Sequence, residues 1–301
     1  MPPRCAKGEQ TRSTPGVLSM QHGSVVLPAC AHRPSARRRA LIASLLAVPN
    51  PPSFAACAPL RIPLVPGGLL VREERGQARG VLVDLVAALE RRLGCPVQAQ
   101  LLPQQRLIQA FYVDYEADVL IPGSPADFEG HSPHFVPLYK VCAQFAASAK
   151  RSWQAAQVAA LPAQRWRCVL PLHVTYGADF DALVQRLDKQ ERVVWVRDVG
   201  TALRMVAAER VDYTLANPAA VYAYGGEALY RTFQFMPLAK VHPMETGAAI
   251  SRRSIPETQQ LRVMAALQAL VRDGDVDRAF ARHFPADVLA LEAAANRREP
   301  G

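Results

Sequence analysis

An α/β fold in two lobes is what the sequence predicts, and three observations carry that reading. The chain has 301 residues and is half hydrophobic, enough to fill more than one core of ordinary domain size. Strand-like and helix-like apolar patterns alternate between Leu60 and Tyr224. The alternation also runs through two cycles, separated by a stretch at Lys150 to Arg167 that reads as helical or irregular. Strands joined by crossover helices make mostly parallel sheets, buried on both faces.

The leader comes first. Arg37, Arg38 and Arg39 stand before the apolar run Ala40 to Val48, and Ser53, Phe54, Ala55 and Ala56 offer small-residue cleavage positions, the pattern of a signal peptide. That run is less than half of the ~20 residues a membrane span needs. Met20 is a second candidate start. Arg38 to Ile42 fits a twin-arginine signal and equally the positive flank of ordinary secretion. Phe54 to Cys57 resembles a lipobox with a poor first position, so a lipid anchor on Cys57 is the lesser alternative to a freely periplasmic chain. Seven cations against Glu9 place +6 of the net +9 charge before Cys57 and leave +3 for the remainder. With no basic run interleaved with aromatics in that remainder, a nucleic-acid partner is not expected. Cys95, Cys142 and Cys168, with Cys57 if retained, show no metal-ligand spacing; they read as small buried hydrophobes or as disulfide partners of undetermined pairing.

In the first cycle, Leu60 to Val65 is a strand that ends at Pro66-Gly67-Gly68, and Arg72 to Gly80 is a polar hairpin or loop. Val81, Leu82, Leu85, Val86, Leu89 and Leu93 recur at helical spacing up to Gly94. Pro96 to Leu102 alternates as a strand, a helix of about ten residues follows Pro103, and Ala117 to Ile121 suits a buried strand. Tyr139 to Ser148 reads as one extended strand. The second cycle runs through a strand at Cys168 to Thr175, a helix at Asp179 to Leu187 and a strand at Arg192 to Val196. It continues with a helix at Gly200 to Glu209, a strand at Val211 to Leu215 and a helix at Pro218 to Tyr224. Thr232 to Leu238 and Glu245 to Ile250 are strands, Pro256 to Arg272 and Val276 to His283 are helices, and the Ala-rich, charged end reads as a frayed tail. Asp118 and Asp212, each just before an apolar strand, are expected to fix helix-to-strand loops.

The order of these elements resembles the extracellular solute-binding proteins of family 3, which serve ABC importers. The local patterns are Gly80 to Leu85 with Leu93-Gly94, Pro103 and Arg106 ahead of Ala117-Asp118, Phe135 to Tyr139, Arg210-Val211-Asp212, and Asp273-Gly274. The resemblance implies a type II periplasmic-binding-protein fold, two α/β lobes joined by two hinge crossovers near Gln144 and Lys240. Lobe 1 then comprises residues 58–143 and 241–292, lobe 2 residues 144–240, and the tail 293–301, after a leader of 1–57. It further implies a monomer with a small-molecule ligand and an ABC-transporter permease or membrane sensor as partner. No cofactor or metal is expected.

The departures from the family matter as much. Its amino-acid receptors follow the strand ending near Ile121 with a Ser/Thr pair and an Arg for the ligand's carboxylate, and this chain has Pro122 to Gly130 with no Arg. The family's acid for the ligand ammonium aligns with Asn217, which is neutral. A small polar or anionic solute that is not a standard amino acid is therefore expected. Strand ends lining the cleft supply the candidates Gly67, Leu69, Ser124, Thr175, Tyr176, Gly177, Asp198, Thr201 and Asn217, with Arg106 as a replacement cation. Thr175 to Gly177 precede a helix whose free N–H groups suit an anion, or alternatively Thr175 and Asp179 cap that helix. A dehydratase or lyase on the same fold is the alternative, with Asp127, Glu129, His131 and His134 close together for acid/base work. No HExxH, G-x-S-x-G or P-loop pattern accompanies them.

Overall fold

Lobe 1 starts at Leu60, in a computed structural model that describes residues 57–297 except 129, 173, 175, 239 and 240. The signal peptide and the second crossover at Lys240 lie outside the described residues. Strand β1 (Leu60–Arg61) leads to a hairpin, β2 (Arg72–Glu74) and β3 (Gln77–Arg79), then helix α1 (Val81–Leu93), strand β4 (Val97–Gln98), helix α2 (Gln104–Tyr112) and strands β5 (Val119–Gly123) and β6 (His134–Val141). The helical spacing in α1 buries Val81, Leu82, Leu85, Val86, Leu89 and Leu93. Gly94 closes α1 in the left-handed region (φ 63°), with its N–H donated to Glu90 O.

Lobe 2 repeats the plan with β7 (Gln144–Ser148), α3 (Ala155–Ala159), β8 (Cys168–Pro171), α4 (Ala178–Lys189), β9 (Val193–Val196), α5 (Val199–Ala207), β10 (Tyr213–Ala216), α6 (Pro218–Tyr230) and β11 (Phe233–Met236). Its sheet runs in the order β11-β7-β10-β8-β9. The chain returns to lobe 1 as β12 (Met244–Ile250), α7 (Glu257–Arg272), α8 (Asp275–His283) and α9 (Ala286–Asn296).

Three sequence expectations change here. The extended strand at 139–148 is two strands, because the chain passes between lobes at Cys142-Ala143 and leaves one sheet for the other. The sheets are mixed rather than mostly parallel: β12 enters antiparallel between β5 and β6, and β7 is antiparallel to both β10 and β11. Strands that enter a lobe across a hinge are not bound by the crossover rule that makes neighbours parallel. The Ala-rich tail is also an ordered helix, α9, with Val288 in the core of lobe 1 and Ala295 in that of lobe 2.

One aspartate ties each lobe together. Asp118, 1% exposed, donates its N–H to Arg61 O (2.8 Å), and its carboxylate accepts from Arg61 N (2.8 Å) and Arg61 Nη2 (2.6 Å). β1 and β5 are thereby joined. Asp212 does the same in lobe 2, donating to Arg167 O (2.9 Å) and accepting from Arg167 N (2.8 Å). Both aspartates fix the entry to a strand, as the sequence suggested.

Cys57 is bonded to Cys95 (Sγ–Sγ 2.01 Å), which fixes the pairing and leaves no thiol on Cys57 for acylation. Cys142 and Cys168 are buried thiols outside the disulfide. Among the described residues no helix is long and apolar enough to cross a membrane.

The disulfide closes a loop of 38 residues, and chain-entropy arithmetic assigns it about 4 kcal/mol. Peptide mapping without reduction should recover Cys57 and Cys95 in one linked peptide, and Cys95→Ser should lower stability by a few kcal/mol in denaturant melts. Asp118→Ala removes the acceptor of the Arg61 N–H, while the partly exposed guanidinium keeps Tyr115 O and water, and should cost about 2 kcal/mol. A change below about 1 kcal/mol would contradict the role given to Asp118.

Candidate functional site

The carboxyl ends of β8 and β10 meet the first turns of α5 and α6 beside the crossover at Cys142-Ala143. A cavity of about 160 Å³ lies there, lined by Pro171, Val174, Tyr176, Val199, Leu215, Ala216, Asn217 and Ala220 of lobe 2 and by Val141, Ala143 and Met244 of the hinge. No charged side chain lines it among the described residues. On the lobe 1 side the loop after β1 reaches α6: a Cβ on Gly67 would lie 3.2 Å from Tyr224 Oη, and one on Gly68 only 2.7 Å from Ala223 O. Gly68 also has φ 56°, so both conformation and clearance demand glycine there.

The predicted site residues divide by position. Tyr176 and Asn217 line the cavity together. Thr175 lies outside the described residues. Gly177 is the N-cap of α4 (φ 97°), and the N–H of Tyr176 is already donated to Asp181 Oδ1 (3.0 Å). The Tyr176 ring is buried, and burial pushes its hydroxyl well above the usual phenol range. Asp198 caps α5, accepting from Thr201 N (2.7 Å) and Thr201 Oγ1 (2.8 Å). Those bonds, the side-chain one foremost, hold its carboxyl below the usual range. Leu69 packs on the lobe 1 core. Ser124 leads from β5 into a 3₁₀ turn, Pro125–Phe128, whose Phe128 ring stands against Gly123 and Phe135.

Arg106 is not brought to the cleft. Its guanidinium is bound by Asp114 and Glu116, at the end of β5 opposite Gly123, so its charge is already answered. The cluster proposed for acid/base work is not assembled either. His131 stacks on Tyr112 (4.2 Å between centroids), His134 Nε2 meets Gln260 Oε1 (3.1 Å), and Glu129 and the Asp127 side chain lie outside the described residues.

One functional group escaped the sequence. Glu292 of α9 sits at the start of α6, where Oε1 accepts from Asn217 Nδ2 (2.9 Å) and Oε2 from Ala219 N (3.3 Å). The backbone N–H of Cys142, at the hinge, also donates to it. Burial raises its carboxyl above the ordinary value, and the three donors only partly offset that. An Ala-rich segment gives little periodicity, and a glutamate 75 residues from its partner leaves no local signal.

No family model matches the chain, and no curated protein matches it in sequence. Solved structures do match it. An ancestral arginine-binding protein bound to glutamine is 17% identical, with 75% of this chain and 97% of that one covered and a TM-score of 0.57. A histidine kinase sensor domain with similarity to periplasmic binding proteins is also 17% identical, covering 76% and 97% at a TM-score of 0.59. The ancestral amino-acid-binding protein AncCDT-1, a precursor of cyclohexadienyl dehydratase, is 16% identical, covering 75% and 95% at 0.57. Likeness at this identity establishes the fold.

Glu292 gives a signed pH dependence. Its folded-state carboxyl titrates above the unfolded one, so the folded state holds the proton more tightly and this contribution to stability falls as pH rises through the carboxylate range. Denaturant melts of the wild type should show that decline above pH ~4.5, and Glu292→Ala should flatten it.

Proposed function

The chain has the type II periplasmic-binding-protein fold, and from that premise we propose that it is a non-catalytic periplasmic solute-binding protein, a divergent relative of family 3. It captures a small, uncharged polar molecule between its lobes and presents it to an ABC-importer permease or a membrane sensor. The observation that carries this reading is the occupancy of the helix ends around the cavity. Just before α4, Asp181 accepts from Tyr176 N, and the starts of α5 and α6 are met by the carboxylates of Asp198 and Glu292. Each of these is a place where a ligand anion gains most from free N–H groups and the helix dipole. Of the polar or anionic solutes suggested by the sequence, the neutral class is therefore favoured.

The cavity supports the same choice. Its walls are aliphatic apart from Tyr176 and Asn217, and about 160 Å³ is roughly five waters' worth of liquid volume. Neither an Arg for an α-carboxylate nor an acid for an α-ammonium lines it, which argues against a standard amino acid. The dehydratase alternative is weakened by the place of His131, in a pocket with Arg252 and Arg253 at the end of lobe 1 away from the hinge. The Cys57–Cys95 bond supports export, since such bonds persist in oxidising compartments.

Thermal shift against neutral amides, polyols, carboxylates, amino acids and amines tests the reading. A bound ligand at ~100 times its dissociation constant should add about 2.7 kcal/mol, a shift of a few degrees. Ala220→Leu fills the cavity and should abolish that shift while leaving the unliganded melt near wild type. A response confined to carboxylates, or silence across the panel with nothing copurifying, would remove the proposal.

A further inference from the structure

A second pocket lies at the far end of lobe 1, where Tyr115 precedes β5, Pro133 precedes β6 and Ser251 follows β12. Its volume is about 450 Å³, and its walls combine aromatic rings (Phe111, Tyr112, Tyr115) with two guanidiniums, Arg252 and Arg253. No carboxylate lines it among the described residues. Some arginines elsewhere are answered by acids, Arg61 by Asp118, Arg92 by Asp273 and Asp275, Arg151 by Asp212, and others, such as Arg192 and Arg262, by backbone carbonyls. Arg252 and Arg253 have no such ion pair among the described residues.

Hydrogen-bond accounting sharpens the point. Gln260 Nε2 donates to Ile255 O (2.8 Å) and Arg252 O (3.2 Å), which turns its Oε1 toward His134 Nε2 (3.1 Å). His134 Nε2 must then carry the proton, and it has no lone pair left for Arg252 Nε, 3.3 Å away. The exposed Arg252 fork is therefore left without an acceptor of its own among the described residues. Arg253 donates through Nη1 to Tyr115 Oη (2.6 Å) and lies 5.3 Å from the centre of that ring, leaving its other N–H groups for the pocket. Ser251 Oγ accepts from the N–H groups of Arg253 (3.3 Å) and Ser254 (3.2 Å), which fixes the turn that carries both arginines.

We propose that this pocket is a second ligand site, distinct from the cleft, for a small organic oxyanion: a phosphate or carboxylate group on the Arg252–Arg253 pair with its flat apolar part against Tyr112 and Tyr115. Paired guanidiniums match planar oxyanions in charge and geometry, and aromatic faces add contact for an unsaturated body.

Calorimetric titration of the exported chain at low salt with phenyl phosphate, benzoate and inorganic phosphate tests it. Saturable binding is expected for the two aromatic anions, phenyl phosphate tighter than inorganic phosphate. Arg252→Ala and Arg253→Ala should each weaken it about tenfold or more, and the pair together should abolish it. If the double variant fails to fold, Arg252→Lys with Arg253→Lys keeps the charge, loses the planar fork, and should still weaken binding. Ala220→Leu in the cleft should bind the probe like the wild type. No saturable uptake at millimolar probe, or uptake that survives the arginine variants, would overturn the site. Equal affinity for inorganic and phenyl phosphate would overturn the role given to the aromatic wall.

Discussion

The Asp118 carboxylate is the interaction on which the first lobe depends. β1 is only two residues long and pairs with β4 on one side. On the other side it reaches β5 through Asp118, whose N–H and side chain close a ladder with Arg61, while its carbonyl accepts from Ser251 N (2.9 Å) at the end of β12. A single residue thus connects three strands. Burying a carboxylate this deeply is unfavourable unless its lone pairs are filled, and Arg61 fills them with one backbone and two side-chain donors. Asp212 repeats the device in lobe 2 with Arg167 and Arg151. The two lobes share a solution at the same point of the cycle without sharing a sequence repeat.

The loop-fixing role of Asp118 and Asp212 was legible because an aspartate directly before an apolar run has few other uses, whereas their arginine partners, 57 and 45 residues away, were not. The core helix α1 was legible for a similar reason, its apolar positions repeating on one face up to a glycine. What could not be read are relations set by how the chain turns back on itself. Arg106 looked like a free cation because Asp114 and Glu116 come back to it only once the chain after α2 turns toward β5. α9 looked like a tail because alanine favours a helix without marking a face. Strand ends identified Tyr176 and Asn217 as cleft residues, but the carboxylate that occupies the Asn217 amide comes from α9.

Magnitudes decide what the occupied helix ends imply. A helix N-terminus offers a ligand anion about 0.3 to 2 kcal/mol. A resident carboxylate ~5 Å from that anion opposes it by about 3 kcal/mol at an effective dielectric near 20. Repulsion outweighs the dipole at the α5 and α6 starts, and Arg204 of α5 is engaged with Thr201 Oγ1 (2.9 Å). The aliphatic lining then adds a desolvation cost for any charge. Neutral solutes escape both terms.

α9 changes how such a cleft works. A hinge made of two crossing segments turns about them with little loss of packing, which is what lets lobes close on a ligand. Here a third element spans the same line: Val288 belongs to one core and Ala295 to the other, Asn296 Nδ2 donates to Lys140 O (2.7 Å), and Glu292 holds both Asn217 and the hinge N–H of Cys142. Motion that leaves α9 with lobe 1 pulls Glu292 from the start of α6 and strips a buried carboxylate of its donors. Motion that carries α9 with lobe 2 exposes Val288 and the contacts of Leu289. Both routes cost more than bending a backbone, so lobe movement in this chain is coupled to the fit of α9 and to the charge on Glu292.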